Sequence, residues 1–268
     1  LDVTGKRQDG YHNIKTIMQT IELYDRVIIS VAEKGIEVKC DCGKVPPGKG
    51  NIAYKAAELF IERYGIDRGV KIIIEKNIPV ASGLAGGSAD AAAVIKGMDR
   101  LFECGADEED LIYLGRNIGA DVPFCIKGGT VLAEGIGDVL TELVRLPRTY
   151  ILIVSPDIEV STRWVYESLN IRKISKRPDM ELLLESIRKG RIDLLAKNMV
   201  NVLETVTASK YTVINIIKEK LKELGALGSI MSGSGPSVFG IFTDKQTADK
   251  AYKMLTYNGW NVFITETF

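Results

Sequence analysis

The sequence is poor in the features that mark several common classes of protein. Its 268 residues include one histidine and four cysteines. Lysine plus arginine, 35, equals aspartate plus glutamate, 35, so no overall field draws the chain to nucleic acid or to an anionic membrane surface. Any anion site must be local. No apolar run approaches the roughly 20 residues needed to span a bilayer, and no basic-then-apolar leader opens the chain. Neither nucleic acid nor membrane is therefore an expected partner, and the expected setting is cytoplasmic. Cys40 and Cys42 are too close for an ordinary bridge and too few for a zinc site. Cys104 and Cys125 sit among apolar neighbours, so all four read as reduced and these two as core residues. No histidine cluster or carboxylate pair marks a metal site, and there is no internal repeat or low-complexity tract.

What is present is an ordinary globular composition, long enough for one large or two modest domains. Apolar periodicity predicts strands at 27–31, 36–40, 70–74, 124–126 and 130–133, and helices at 51–64, 88–98 and 108–117. Pro147-Arg148-Thr149 separates this block from an apolar strand at 150–154. The expected domains are therefore 1–148 and 149–268. In the second block helices are expected at 162–169, 180–189, 192–205, 211–224 and 245–257. Strands are expected at 229–231, 238–242 and 260–265. Elements do not alternate as repeated βαβ units, so the class is α+β, with the second block suited to a ferredoxin-like domain.

The richest segment runs from Pro79 to Ala93, PVASGLAGGSADAAA. It follows a strand and passes through clustered glycines into an alanine-rich helix. A helix N-terminus offers free N–H groups and the positive end of the dipole, which favour an anion. Gly83, Gly86 and Gly87 remove Cβ atoms that would hold a polyphosphate away from the backbone, and they tolerate positive φ. Ser88 is placed either to cap the helix or to hold a phosphate-bound Mg²⁺. Glycines that merely permit close packing would look the same. The segment spells neither a P-loop, since no lysine follows Gly87, nor the dinucleotide fingerprint.

The order Pro-x-x-x-Gly-Leu-x-Gly-Gly-Ser-x-x-Ala-Ala resembles the second motif of the GHMP family of small-molecule kinases. Ser232-Gly-Ser-Gly-Pro-Ser237 resembles its third, glycine-rich motif. Gly5-Lys-Arg-Gln-Asp-Gly-Tyr-His12, Thr16 to Asp25, Gly119-Ala-Asp-Val-Pro-Phe124 and Ala133-Glu-Gly-Ile-Gly137 resemble one branch of that family, and the similarity covers nearly the whole chain. The resemblance implies a ribosomal-S5-like N-terminal, ATP-binding domain and a ferredoxin-like C-terminal, substrate-side domain. It implies ATP-dependent phosphorylation of a hydroxyl on a cytidine-diphosphate-linked methylerythritol in the non-mevalonate isoprenoid pathway, with Mg²⁺ implied by ATP. Homoserine or mevalonate kinases share both glycine motifs, and a nucleotide-binding protein without turnover is a further alternative. The family's first motif, a strand carrying a lysine and an asparagine, falls before the position of Leu1. A shortened N-terminus is therefore expected, and neither Lys6 nor Lys15 takes that lysine's role. Monomer and homodimer both stay open.

Phosphoryl transfer needs an aligned hydroxyl, a held γ-phosphate and positive groups where charge develops. Asp121, between a helix end and a strand expected at 124–126, is the candidate base; a turn or capping aspartate is the plainer reading. Within the resemblance, the Tyr11-His12 pair and an aromatic of the second domain hold the cytosine. Tyr166 is the candidate for the latter, and Tyr24, like Tyr11, is a further partner near His12 in sequence, because a base offers a π face and polar edges to such side chains. Pro79, Ser82, Gly83, Leu84, Ala85, Gly86, Gly87 and Ser88 would cradle the ATP phosphates. Asn51 resembles the adenine-side contact, although it would equally serve as an N-cap. Gly233 and Gly235 either shape the substrate side or form a tight turn.

Overall fold

The protein, described here from a computed structural model, is defined over residues 1–268. Its contacts divide it into two compact units interleaved in sequence. One contains Leu1–Glu22, Ala81–Leu84 and Gly129–Phe268, the other Leu23–Val80 and Ala85–Gly128. Elements that the sequence places with the N-terminal block, 1–22 and 129–148, thus cluster with the C-terminal ones. No helix is long and apolar enough to cross a membrane.

The second unit is a three-stranded sheet with four helices. Strand β5 (Gly69–Glu75) lies between β3 (Arg26–Ala32), antiparallel to it, and β4 (Ile36–Cys40), parallel to it. A parallel neighbour requires a crossover, which α1 (Ile52–Tyr64) supplies. Val70, Ile72 and Ile74 of β5 alternate into the core, where they meet Ala53, Ala56, Ala57 and Phe60 of α1. Ala91, Val94, Ile95 and Met98 of α2 (Gly86–Phe102) join them. These spacings place one stripe of each helix on one face of the sheet. Two further helices follow, α3 (Glu108–Arg116) and α4 (Val122–Lys127).

The first unit holds two antiparallel sheets. One has the order β1 (Asp2–Lys6), β2 (His12–Gln19), β6 (Thr130–Glu134), β7 (Val139–Glu142). The other comprises β8 (Tyr150–Ser155), β9 (Gly228–Met231), β10 (Val238–Phe242) and β11 (Asn261–Glu266), in the order β11-β8-β10-β9. That order, with helices between β8 and β9 and between β10 and β11, is the ferredoxin-like arrangement. The intervening helices are α5 (Thr162–Ser168), α6 (Met180–Arg188), α7 (Ile192–Asn198), α8 (Glu204–Lys210) and α9 (Val213–Glu223); α10 (Lys245–Thr256) precedes β11. Leu152, Val154, Val238 and Phe242 pack with Ile214, Ile217, Leu221, Ala248 and Leu255 into this unit's main core.

Two expectations are overturned. Residues 124–126 are not a strand but part of α4. Pro123 stands in its first turn, where the missing N–H costs nothing, and a three-residue apolar run does not reveal its period. The helix expected over 192–205 is broken into α7 and α8 by residues 199–203. Asn201 drives the break. Its buried Nδ2 donates to the carbonyls of Met231 (2.9 Å) and Gly233 (2.8 Å), while its Oδ1 accepts from Leu203 N (3.0 Å). These long-range bonds replace the helical ones.

Helix α7 lies so close to β9 that a Cβ on Gly228 would stand 2.1 Å from the Ala196 carbonyl oxygen, whereas one on Gly43 would meet nothing within 4 Å. Gly228→Ala is therefore expected to lower unfolding free energy by about 1–3 kcal/mol or more, and Gly43→Ala to stay within about 0.5 kcal/mol. Urea titration of both variants measures this; equal stabilities would refute the close approach.

Candidate active site

The glycine segment enters α2 through a loop with three positive φ angles, at Ala81 (+54°), Gly83 (+77°) and Ala85 (+55°). Two are alanines, for which this conformation costs about 1–2 kcal/mol, so the loop is held by its surroundings. The sequence expectation is corrected in two respects. Of the three glycines only Gly83 needs positive φ, since Gly86 and Gly87 are helical. Ser88 does not cap the helix. It is the third helical residue, and the cap position belongs to Ala85, which supplies no side-chain bond. The first N–H groups of α2 thus have neither an intrahelical acceptor nor a side-chain cap. Gly86 is required by packing, because a Cβ there would lie 2.9 Å from Ile78 Cγ2. Gly87 is exposed, and a Cβ would meet Ile52 Cγ2 only at 3.6 Å.

Within the first unit, Ser82 and Gly83 lie against the second glycine motif. Ser232 Oγ donates to the Gly83 carbonyl (2.8 Å) and Ser237 N to the Ser82 carbonyl (3.1 Å). A Cβ on Gly83 would come within 2.4 Å of the Ser232 carbonyl oxygen. Gly233 (φ +53°) and Gly235 (φ +86°) form a tight turn, with Gly235 N donating to Ser232 O (2.8 Å). The motif is also tied outward: the Ser234 hydroxyl bonds the Thr162 hydroxyl (2.9 Å), and Thr207 Oγ1 donates to the Ser234 carbonyl (3.0 Å).

Thr162 opens α5, which carries Tyr166. The helix is capped by Ser161, whose Oγ accepts from Trp164 N (3.3 Å). Antiparallel pairing of β1 with β2 sets Lys6 opposite His12. The His12 and Tyr166 rings meet with centroids 5.3 Å apart and planes tilted by 35°. Both line an open cavity of about 420 Å³, together with Lys6, Leu169, Ile171 and Arg172. Burial, and secondarily the Lys6 charge, lowers the His12 pKa, which favours neutral imidazole. Tyr11 is exposed, and Tyr24 belongs to the other unit, where it too is exposed.

In the second unit Asn51 does cap α1, its Oδ1 accepting from Ala53 N (2.9 Å). Its Nδ2 is nevertheless buried with no partner. Asp121 precedes α4 without capping it, and burial raises its carboxyl pKa. The nearby Cys125 thiol is pushed up to about 12, chiefly by burial and then by the charges of Asp121 and Asp90. That suits the inert core role expected of it.

Sequence reasoning missed one constellation. Lys76 Nζ donates to Asp25 Oδ2 and, at 2.8 Å, to Asp90 Oδ2, with all three side chains almost wholly buried. Desolvation raises the Asp90 pKa to about 6. The available signal was a lysine directly after an apolar strand and an aspartate inside an alanine run, both positions where charge is costly.

A family model described as the GHMP kinases N terminal domain matches residues 51–129, and one described as GHMP kinases C terminal matches 183–259. The chain belongs to the GHMP kinase family. A curated 4-diphosphocytidyl-2-C-methyl-D-erythritol kinase of Acetivibrio thermocellus is 58% identical over 267 residues, covering 100% of this chain and 94% of that relative. A second, of Caldicellulosiruptor bescii, is 50% identical, covering 99% and 92%. A crystal structure of 4-(cytidine 5'-diphospho)-2C-methyl-D-erythritol kinase is similar with a TM-score of 0.84 at 30% identity, over 99% of this chain and 94% of that one. The homoserine kinase of Cytophaga hutchinsonii shares the fold, with a TM-score of 0.77 at 22% identity over 94% and 88%.

Because this GHMP kinase has a single histidine, His12 can be followed directly by NMR titration. Its midpoint is expected below the ordinary 6.5. The folded state favours the neutral form, so the stability this group contributes is lost as pH falls below 6.5. Lys6→Gln should move the midpoint upward but leave it below 6.5, because burial is the larger cause. A midpoint above 6.5 in the unaltered protein would refute the burial argument.

Proposed function

We propose that this GHMP kinase transfers the γ-phosphoryl group of ATP to a hydroxyl of 4-diphosphocytidyl-2-C-methyl-D-erythritol. The observation that carries the choice of substrate is the His12–Tyr166 pair in a cavity lined by Lys6 and Arg172. A flat aromatic pair with neighbouring cations suits a nucleobase that bears phosphates. Homoserine and mevalonate offer no base to such a pair. The 50–58% identity to curated kinases bearing that substrate in their name supports the same choice.

On this reading the uncapped first turn of α2 and residues Gly83 to Ser88 receive the phosphates, and the unpartnered Asn51 Nδ2 donates to the adenine. The substrate hydroxyl oxygen attacks the γ-phosphorus as the bond to the β,γ-bridging oxygen breaks, and the hydroxyl proton passes to Asp121. A carboxyl whose pKa burial has raised is the better proton acceptor. Mg²⁺ would enter with the triphosphate and neutralise charge that develops on its oxygens, and Ser88 is the hydroxyl the loop would offer it. A functional division into 1–148 and 149–268 is supported by the two family models, which match on either side of it.

Coupled ADP release measured with the cytidine substrate, homoserine and mevalonate tests the reading: turnover is expected with the first alone, and preference for either of the others would overturn it. Asp121→Asn should cut kcat by about 10²–10⁴-fold while calorimetric ATP affinity persists; retained turnover would remove Asp121 from its role. Gly87→Ala separates cradle from packing. The helix has room for the methyl and gains about 0.5–1 kcal/mol from it, yet ATP affinity should fall at least about tenfold if phosphates lie on that face. Unchanged affinity would take Gly87 out of the cradle.

A further inference from the structure

The Lys76–Asp25–Asp90 cluster has no part in the reaction as derived, yet it places three charged side chains in the interior of the second unit. One lysine between two carboxylates leaves excess negative charge there. A buried ion cluster of this kind is seldom more stable than apolar side chains of equal volume, so its geometry is the more informative property. Asp25 lies just before β3. Its Oδ1 accepts from the N–H groups of Asn77 (2.6 Å) and Ile78 (2.8 Å), the residues that lead into the glycine loop. Its Oδ2 accepts from Lys76 Nζ, which reaches on to Asp90 in the second turn of α2. The first residue of that helix, Gly86, rests directly on this assembly: a Cβ there would lie 2.9 Å from Ile78 Cγ2 and 3.4 Å from Lys76 Nζ. Asp25 therefore holds the start of the loop, Asp90 its end, and Lys76 joins them.

We propose that this cluster positions the glycine loop, fixing the segment before Pro79 and the first turns of α2 relative to each other so that the helix N–H groups are set before ATP arrives. Lys76, Asp25 and Asp90 are positioning residues on this account. The ordering cost of the loop is met in folding rather than in binding, which leaves more of the phosphate contact energy to appear as affinity. The inference rests on the reading that the glycine loop holds ATP.

Asp90→Leu is the decisive variant, because it cuts the tie to α2 while leaving Lys76 paired with Asp25 and no charge unmatched. The KM for ATP should rise at least about tenfold, with kcat and the KM of the cytidine substrate held within about twofold. In the ligand-free protein, backbone amides of residues 80–88 should exchange with solvent faster, an effect that loss of a direct ATP contact would not produce. Asp90→Asn, which keeps an acceptor for Lys76, should retain slow exchange and most of the ATP affinity. Should Asp90→Leu not fold, the pair Lys76→Met with Asp90→Asn removes the same tie and is held to the same limits.

A folded variant with unchanged exchange, or with both KM values raised alike, would overturn the proposal. So would failure of both cut variants to fold, since the tie would then carry global stability rather than loop position. Absence of ATP turnover in the unaltered protein would instead defeat the functional reading, and the exchange comparison would still decide whether the cluster sets the loop.

Discussion

Two stretches of backbone meet in the first unit with no side chain between them, and much of its site geometry descends from that contact. Gly83 can lie against Ser232 and Gly235 only because it lacks a Cβ, which would otherwise sit 2.4 Å from a carbonyl oxygen. The Ser232 hydroxyl and the Ser237 amide then satisfy the carbonyls of Gly83 and Ser82. From this seat a polar chain runs outward. Ser234 bonds Thr162 at the head of α5, and the same helix presents Tyr166 to His12. Asn201 and Thr207 brace the turn from the side of the broken helix. A residue with a side chain at Gly83 would disturb this seat and the groups that depend on it.

The second unit is organised by a different constraint, the cost of polar groups in an apolar interior. Its core is built mainly of alanine, isoleucine and valine, so each buried polar atom there calls for an explanation. Asn51 satisfies its oxygen by capping α1 but leaves Nδ2 without an acceptor; Asp90 satisfies one oxygen through Lys76 and leaves Oδ1 without a donor. The two cases differ in meaning. An unpartnered amide donor suits recognition of an incoming acceptor. The unpartnered oxygen of Asp90 belongs to a carboxylate already tied by the lysine, and its burial without a donor accords with the raised pKa of that group.

Much of the fold was legible because local patterns agreed with tertiary contacts. The stripes of α1 and α2, the alternation of β5 and the ferredoxin-like succession of the C-terminal elements all follow from apolar spacing. The glycine motifs were legible as letters, though not as geometry: the sequence does not say which glycine needs positive φ, which avoids a neighbouring methyl and which leaves open space. What stayed hidden depended on distant partners. Residues 12–16 alternate in burial as a strand should, yet two of the three buried positions are the polar His12 and Thr16, so no apolar alternation marks the strand. The break at Asn201 is made by carbonyls some thirty residues along the chain. Lys76, Asp25 and Asp90 are unremarkable one at a time, and acquire a role only where β3, β5 and α2 come together.

Asp121 differs from the aspartates that open other helices of this chain. Asp107, Asp179 and Asp244 stand in extended backbone before α3, α6 and α10, and each accepts a hydrogen bond from the N–H three residues on. They are ordinary N-caps. Asp121 occupies the corresponding place before α4 with helical backbone angles, φ −88° and ψ −11°, and its side chain makes no capping bond. Pro123 removes one of the donors it would otherwise have met. The capping role that the sequence allowed is thus closed to it, while burial raises its pKa. The carboxyl thus costs folding energy and returns none as a cap; in the reaction proposed above, the same desolvation would strengthen it as a base.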